Sequence, residues 1–229
     1  MKIFDMPQGT VEWFSVRSGT ISASNFKKIL TPKANKLAAG RITYAYQLVA
    51  QMAMGYRPPT DVEAYTSREM EYGIDTEPEA RSFYSMETGR TVREVGFITD
   101  DEHRIGCSPD GLVDDGNGGL ELKCPTARHH VAYMLDPGSL VEEYKHQVHG
   151  CMIVSERPWW DIMSYCIGLP PVLVRVERNE YTDSLEEALV VFADEVAQMK
   201  AKVEQMCGRE FIRPKIAPPK PAGEDPVFM

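Results

Sequence analysis

A hairpin between residues 107 and 125 constrains the fold more than any other part of the sequence. The pattern predicts two short strands, Gly111 to Asp114 and Leu120 to Lys123, joined by the run Asp-Gly-Asn-Gly-Gly at 115–119. Glycine and asparagine tolerate the positive φ angles that tight hairpin turns need. The chain is therefore expected to fold back here, so that the mouth of the first strand lies beside the end of the second.

The hairpin brings three ionisable side chains together. Asp110 lies at the mouth of the first strand, and Glu121 and Lys123 share one face of the second because side chains alternate along a strand. Mg²⁺ takes carboxylate oxygens and keeps several waters, so a metal shared by Asp110 and Glu121 would activate water against a phosphodiester. Lys123 would hold that water or offset charge on the phosphate oxygens. The alternative is an exposed turn with solvated charges.

The same residues match a known signature. Pro-Asp at 109–110 followed by Glu-Leu-Lys at 121–123 fits the PD-(D/E)xK pattern of a large nuclease superfamily. Extended to residues 108–111 and 120–125, the stretch resembles the phage lambda exonuclease family of viral recombination nucleases. This resemblance implies an α/β fold with a restriction-endonuclease-like core.

The resemblance also implies roles for the residues around the hairpin. Asp110, Glu121 and the carbonyl of Leu122 are expected to bind Mg²⁺, with Mn²⁺ as a substitute and with two ions in the site. Lys123 is expected to act on the attacking water. Gln147, on a helix predicted over residues 140–155, matches a glutamine that assists near the metal in relatives of this superfamily.

A second block of the sequence carries candidate phosphate ligands. Arg17 follows a predicted helix over residues 10–16, and Ser22 and Ser24 open the next helix. These residues either complement a helix dipole and cap a helix, or form a phosphate cradle together with free backbone N–H groups. Residues 12–24 resemble the family's N-terminal block, which implies that Arg17, Ser22, Ser24 and also Ser108 grip the terminal 5′-phosphate. Lys33 is expected to touch the groove of the incoming duplex.

A third acidic residue of the site is predicted on a helix over residues 67–88. Glu77 lies on a stripe with helical spacing whose other members are Met70, Ile74, Ala80 and Tyr84. A carboxylate on such a stripe needs a partner, either an arginine such as Arg81 or a metal. The family's Gly-x-x-x-Glu-x-x-Ala-Arg helix favours the metal. Pro78 predicts a kink or a fresh helix start beside Glu77. Met70 is either an ordinary core methionine or, as the resemblance implies, the apolar residue that wedges between strands at the duplex end.

The rest of the pattern predicts a single domain over residues 1–208. Strands are predicted at 91–99, 159–167 and 172–177, and with the hairpin they make a central mixed sheet of about five strands flanked by helices. The apolar residues of a helix over 182–207 recur in steps of four and three, which indicates packing on the sheet or a subunit contact. Residues 209–229 are rich in proline and predict a linker-like or partner-contacting tail.

Composition and charge narrow the class of protein. Five cysteines without a CxxC spacing predict reduced thiols, and no apolar run has the length of a membrane span. A cytoplasmic location is therefore expected, and the resemblance implies a bacterial host cell and a gene of a phage or prophage. The net charge of −9 counts against a simple nucleic-acid binder unless an acidic exterior surrounds a basic groove. The spacing of His146 and His149 suggests zinc, but no third ligand converges, which favours structural roles.

These features predict a Mg²⁺-dependent 5′-to-3′ exonuclease that degrades one strand of linear double-stranded DNA to 5′-mononucleotides and leaves a 3′ single-stranded overhang. Phosphodiester hydrolysis follows from the residues, whereas end preference and polarity follow from the resemblance. The resemblance also implies a ring-shaped homotrimer that threads DNA and a partner protein that anneals single strands in recombination. Two alternatives stay open: a structure-specific DNA endonuclease on the same scaffold, and a catalytically idle DNA-binding module.

Overall fold

The computed structural model describes residues 1–31, 36–55 and 68–212 of the 229-residue chain. The strands are β1 (Lys2–Phe4), β2 (Ile21–Ser22), β3 (Val92–Arg93), β4 (Phe97–Thr99), β5 (Ile105–Cys107), β6 (Gly111–Val113), β7 (Gly118–Lys123), β8 (Trp159–Ser164) and β9 (Val172–Glu177). The helices are α1 (Val11–Arg17), α2 (Arg41–Met54), α3 (Arg68–Thr88), α4 (Ala127–Leu135), α5 (Pro137–Ser155) and α6 (Glu180–Cys207), with a 3₁₀ helix at Ala23–Lys28. None of the helices described is long and apolar enough to cross a bilayer.

The predicted central sheet is confirmed as a five-stranded mixed sheet. Its strand order is β3-β6-β7-β8-β9, in which β7 and β8 are parallel and the other neighbours are antiparallel. The predicted hairpin forms its β6–β7 pair, with Gly111 opposite Leu120. Gly116 and Asn117 in the turn have φ angles of +89° and +55°, as the turn residues predict.

A second sheet has no counterpart in the sequence-based prediction. Its order is β1-β4-β5-β2, with β2 parallel to β5. The single strand predicted over 91–99 is wrong, because this stretch divides into β3 in one sheet and β4 in the other. The chain passes between the sheets at residues 94–96, where a Cβ on Gly96 would lie 2.3 Å from the Met6 carbonyl oxygen. Only glycine fits this close approach.

The two faces of the five-stranded sheet bury different sets of residues. Leu112, Trp160 and Ile162 belong to the main core, which also contains buried residues of α2, α5 and α6. Leu120, Leu122, Trp159 and Met163 alternate with them and pack with Ala80 and Tyr84 of α3. The sheet therefore separates α3 from α5, and only a site at the end of its strands can receive side chains from both helices.

Helix α3 continues through Pro78 without the predicted new start. Thr76 does not cap a helix, because its hydroxyl donates to the Tyr72 carbonyl one turn earlier at 2.6 Å. The carbonyl left without a donor by proline belongs to Ile74, whose side chain is 61% exposed, so solvent can satisfy it. The predicted inward stripe is therefore wrong at Ile74, although Ala80 and Tyr84 are buried.

Helix α6 packs against its own chain. Leu185, Leu189, Phe192 and Val196 are buried in the main core, which favours packing over a subunit contact for this face. Asn179 caps the helix by accepting from the Tyr181 backbone N–H. The described residues include only the first few of the predicted tail, and residues 213–229 lie outside them.

Replacing Gly119 by alanine is expected to destabilise the protein by about 1–3 kcal/mol, the usual effect of overpacking a core. A Cβ at this position of β7 would lie 2.3 Å from the ring of the fully buried Trp160. Chemical denaturation measures the effect. Gly40→Ala is a suitable control because nothing lies within 4 Å of its added Cβ and its φ is −63°. Equal stability of Gly119→Ala and wild type would contradict the described packing of Trp160.

Candidate active site

Ten of the twelve predicted site residues line one cleft of about 180 Å³ at the end of the central sheet. They are Arg17, Ser22, Ser24, Glu77, Ser108, Asp110, Glu121, Leu122, Lys123 and Gln147. The other two cannot be placed: Lys33 lies outside the described residues, and Met70 belongs to α3 but its side chain is not described. The cleft therefore collects residues from α1, α3, α5, β2, β7, the 3₁₀ helix and the loop before β6.

The hairpin geometry places Asp110 against the backbone of β7. Strand β6 starts at Gly111 opposite Leu120, so β7 extends past it for three residues. Beyond the end of β6, the Leu122 N–H has no strand carbonyl to bond, and it donates instead to Asp110 Oδ2 at 2.7 Å. The N–H and C=O of one strand residue point to the same side, so the Leu122 carbonyl is also directed towards Asp110.

Glu121 and Lys123 lie on the face of β7 that α5 covers. Lys123 Nζ and Gln147 Nε2 both donate to Glu121 Oε1, each at 2.5 Å. Glu121 is only 1% exposed, and its other oxygen, Oε2, is buried without a hydrogen-bond partner among the described residues. Leaving a buried carboxylate oxygen unpaired is unfavourable unless a ligand completes it.

The carboxyl groups of the cleft resist ionisation in the absence of a cation. Burial raises the pKa of Glu121 to about 8, and the charge of Asp110 adds to the shift. Burial also raises the pKa of Asp110. For Lys123, burial alone would lower the pKa, but the negative charges of Glu121 and Asp110 outweigh it and raise it. A cation bound here would reverse the first two shifts by favouring the ionised carboxylates.

Glu77 reaches the cleft from α3. Arg81 is not its ion-pair partner, because Arg81 Nε donates to the Asp110 carbonyl at 3.0 Å and Nη1 pairs with Glu94 at 3.1 Å. Within the described chain, the Glu77 carboxylate makes no hydrogen bond or ion pair. Burial and then the Asp110 charge raise the pKa of Glu77 to about 7. Its carboxylate is thus available to a ligand of the cleft.

The donor set of the cleft fits a hard divalent cation. It offers the unpaired Glu121 Oε2, an Asp110 carboxylate with one oxygen not used by Leu122, and the Leu122 carbonyl. In the described residues, no three His, Cys, Asp or Glu side chains form a ready-made metal cage. Mg²⁺ does not need one, because it is usually bound by one or two carboxylates and several waters.

The opposite end of the cleft presents a guanidinium and two hydroxyls. Arg17 Nη2 donates to Ser22 Oγ at 3.3 Å, and the hydroxyls of Ser22 and Ser24 lie 3.1 Å apart. No described carboxylate pairs with the half-buried Arg17, and burial lowers its pKa to about 10. Ser22 occupies the N-cap position of the 3₁₀ helix, as predicted, but its side chain makes no cap hydrogen bond. An unpaired guanidinium beside hydroxyls is a phosphate-binding arrangement.

Two further residues of the cleft were missed by the sequence-based reasoning. Trp13 was interpreted only as part of a helix, yet it donates from Nε1 to Ser108 Oγ at 3.1 Å. Gln8 gave no signal in the pattern, but its Nε2 donates to the Pro109 carbonyl at 2.9 Å, directly before Asp110. Both contacts join residues about a hundred positions apart, and no local pattern encodes them.

His146 and His149 are structural, as the sequence favoured. A ring nitrogen of His146 bonds the Leu30 carbonyl at 3.0 Å, and His149 Nδ1 bonds the Thr182 hydroxyl at 2.8 Å. Both imidazoles are buried, and neither lines the cleft. They join α5 to the 3₁₀-helix segment and to α6.

His149 gives the fold a specific acid sensitivity. Burial lowers the pKa of His149 to about 4, below the ordinary value of about 6.5 that applies to the unfolded chain. Between these values only the unfolded chain takes up the proton, so stability falls as pH drops, by about 1.4 kcal/mol per pH unit. His149→Gln is therefore expected to lose about 2 kcal/mol less than wild type between pH 7 and 5.

Urea titrations at both pH values measure the loss of stability of each protein. Groups that titrate alike in the two proteins cancel when the loss in His149→Gln is subtracted from the loss in wild type. His129→Gln controls for the loss of an imidazole as such, because His129 is exposed on α4. Identical pH dependence in His149→Gln and wild type would contradict a neutral, buried His149.

The mixed sheet with carboxylates and a lysine on its hairpin is the fold of a nuclease of the viral recombination class, as comparison with known families shows. The chain belongs to the YqaJ-like viral recombinase family, whose sequence profile matches residues 12–158. This finding confirms the resemblance found in the sequence.

Solved structures agree with this assignment. The alkaline exonuclease LHK-Exo from Laribacter hongkongensis is 31% identical, with a TM-score of 0.73 over 87% of this chain and 98% of that one. Its complex with dAMP gives the same values. A phage-related exonuclease from Haemophilus somnus 129PT is 15% identical, with a TM-score of 0.62 over 80% of this chain and 96% of that one, and shows the shared fold. No curated protein sequence matches the chain.

Proposed function

We propose that the protein is a Mg²⁺-dependent exonuclease that degrades the 5′-ended strand of linear double-stranded DNA to 5′-mononucleotides and leaves a 3′ overhang. The observation that carries the proposal is the two-ended cleft. One end has carboxylates with an unpaired buried oxygen, and the other has an arginine without a carboxylate partner among the described residues. Such a cleft suits a scissile phosphate at the first end and a terminal phosphate at the second.

The residues of the first end suit phosphodiester hydrolysis. Asp110, Glu121 and the Leu122 carbonyl would hold Mg²⁺, with Glu77 supporting a second ion and Mn²⁺ as a substitute. The bound ions would supply an activated water and neutralise charge on the scissile phosphate. The Lys123 ammonium has three donors and uses one on Glu121, which leaves two for the attacking water and a phosphate oxygen. Gln147 keeps Glu121 Oε1 occupied and so leaves Oε2 for the ion.

Each cycle of the proposed reaction regenerates the 5′-phosphate that the Arg17 end of the cleft would recognise. The water oxygen bonds to phosphorus, the bond from phosphorus to the 3′ oxygen of the terminal nucleotide breaks, and that oxygen takes a proton from solvent. The shortened strand again carries a 5′-phosphate. Arg17, Ser22, Ser24 and Ser108 would bind this phosphate in the next cycle, with the guanidinium as the main charge.

The relatives support the general part of this proposal, which is exonuclease activity. LHK-Exo is an alkaline exonuclease of similar fold, and one of its structures contains dAMP, a 5′-mononucleotide. We further propose that the protein acts as a ring-shaped homotrimer beside a single-strand annealing protein in recombination. Light scattering tests the first point, and a monomer would remove the ring. Co-purification with an annealing protein encoded by the same phage tests the second.

Digestion of a labelled linear duplex tests the proposal. With Mg²⁺ we expect labelled mononucleotide from a 5′-labelled strand at once, from a 3′-labelled strand only at the end of digestion, and nothing in EDTA. Covalently closed circles should stay intact, and cutting them would favour the endonuclease. DNA binding without any cutting would identify an idle binding module. Mn²⁺ in place of Mg²⁺ should restore activity.

A further inference from the structure

Trp13 contacts two of the four candidate ligands of the terminal phosphate with different parts of its indole. Its Nε1–H reaches Ser108, and its ring face covers the guanidinium of Arg17. We infer that Trp13 is the positioning residue of the 5′-phosphate site and sets the preference for phosphorylated over hydroxyl 5′ ends. This inference rests on the proposed function, because it assigns a role within the same cleft.

The indole N–H fixes the direction in which Ser108 can donate. Nε1 lies 2.9 Å from the Gly96 carbonyl and 3.1 Å from Ser108 Oγ. An indole nitrogen is only a donor, so Ser108 Oγ is the acceptor of this bond and its own O–H must point elsewhere. The hydroxyl is thereby kept free to donate to a phosphate oxygen, rather than to the backbone carbonyl beside it.

The indole ring lies against the guanidinium of Arg17. The Arg17 Cζ lies 3.8 Å from the Trp13 ring centroid, well within the range of a cation–π contact. The ring covers one face of the guanidinium and leaves its N–H edges, of which Nη2 already donates to Ser22. Because the contact supplies no counter-charge, Arg17 keeps its full attraction for an anion.

Trp13 is itself held at two points. Its backbone N–H donates to the Thr10 hydroxyl at 3.3 Å at the start of α1, and its indole donates to Gly96 where the chain passes between the two sheets. The indole therefore links α1, which carries Arg17, to the loop that carries Ser108. Loss of the indole would loosen both ligands at once, whereas the described carboxylates and Lys123 make no hydrogen bond or cation–π contact with Trp13.

Two substitutions separate the two contacts. Trp13→Phe keeps a ring face for Arg17 but removes the N–H, and Trp13→Leu removes both. We expect the ratio of kcat/KM on 5′-phosphorylated to 5′-hydroxyl duplex to fall about threefold in Trp13→Phe and about tenfold or more in Trp13→Leu. The kcat/KM on 5′-hydroxyl duplex should change little, because a DNA end without a 5′-phosphate makes no use of the phosphate site.

A matched control excludes a general effect of losing an indole. Trp160 is fully buried in the main core, and its Nε1 has no hydrogen-bond partner among the described residues. Trp160→Phe should lower the melting temperature but leave the ratio of the two substrates unchanged. Melting curves of all variants show whether they fold, and Trp13→Phe is the variant that retains most of the packing.

The outcomes separate this inference from the proposed function. An unchanged ratio in Trp13→Leu, or an equal fall on both substrates, would overturn the positioning role while Arg17→Ala still lost the preference. If wild type did not prefer a 5′-phosphate, and Arg17→Ala had no effect, the phosphate site itself would fail, and Trp13 with it. Loss of the preference in Trp13→Leu with retention in Trp160→Phe supports the inference.

Discussion

Replacing Lys123 by alanine is expected to lower kcat by about two to four orders of magnitude, with a smaller effect on DNA binding. The ammonium lies within 2.5 Å of Glu121 Oε1 and 4.7 Å from the ring centroid of Tyr144, so it is held in place before substrate arrives. Its loss removes the donors for the attacking water and the phosphate, and it also raises the pKa of Glu121 further. Single-turnover hydrolysis of a 5′-phosphorylated duplex measures the effect.

Lys200→Ala provides a matched control for this change. Lys200 is a lysine of α6 that pairs with Glu204 one turn away, and it does not line the cleft. Its removal should leave the rate within about twofold, because Lys200 lies outside the cleft and a single lysine–carboxylate pair of one helix contributes little to stability. A rate for Lys123→Ala close to wild type, with Mg²⁺ saturating, would exclude Lys123 from the reaction.

Replacing Glu121 by glutamine is expected to abolish metal binding and to stabilise the metal-free protein at neutral pH. The pKa of Glu121 is raised to about 8 by burial, above its ordinary value of about 4.5. Between these values the folded protein holds a proton that the unfolded chain has lost, so this carboxyl makes stability fall as pH rises from about 5 to 8. Glutamine cannot ionise, and the fall attributable to residue 121 should disappear.

Melting curves with Mg²⁺ or EDTA measure both effects. Wild type should be stabilised by about 2.7 kcal/mol at a metal concentration a hundred times the dissociation constant, and Glu121→Gln should show no such gain. Glu143→Gln is the control, because Glu143 lies on α5 and accepts from Tyr133 outside the cleft. A full metal-dependent shift in Glu121→Gln would show that the ion binds elsewhere.

The parts of the site that the sequence predicted are those encoded by short-range rules. Glu121 and Lys123 share a face because they are two residues apart on one strand, and the glycine-rich turn returns this strand to Asp110. The presence of Arg17 in the same cleft as Ser108 and Asp110 could not be predicted in this way, because nothing in their spacing places α1 beside the hairpin. That part of the prediction depended on resemblance to a known family, which the comparisons confirm.

The errors have a common physical origin in contacts between distant parts of the chain. The strands of the four-stranded sheet have only two or three residues each, too few for alternation to be detected, so this sheet was missed. The helix predicted over residues 67–88 forms as α3, but propensity alone also predicted a kink or fresh start at Pro78, and the helix continues through this exposed position. In the sequence, Trp13 cannot be told from an ordinary core residue. Only the fold brings it to Ser108, 95 residues later.

The central claim is that one cleft binds a metal ion at its carboxylates and a phosphate at Arg17. The most direct test is a crystal of the protein with Mn²⁺ and dAMP, measured at a wavelength where manganese scatters anomalously. The claim predicts an anomalous peak within about 2.0–2.4 Å of oxygens of Asp110 and Glu121, and a phosphate against the Arg17 guanidinium. Manganese bound only outside the cleft, or a phosphate with no contact to Arg17, would contradict it.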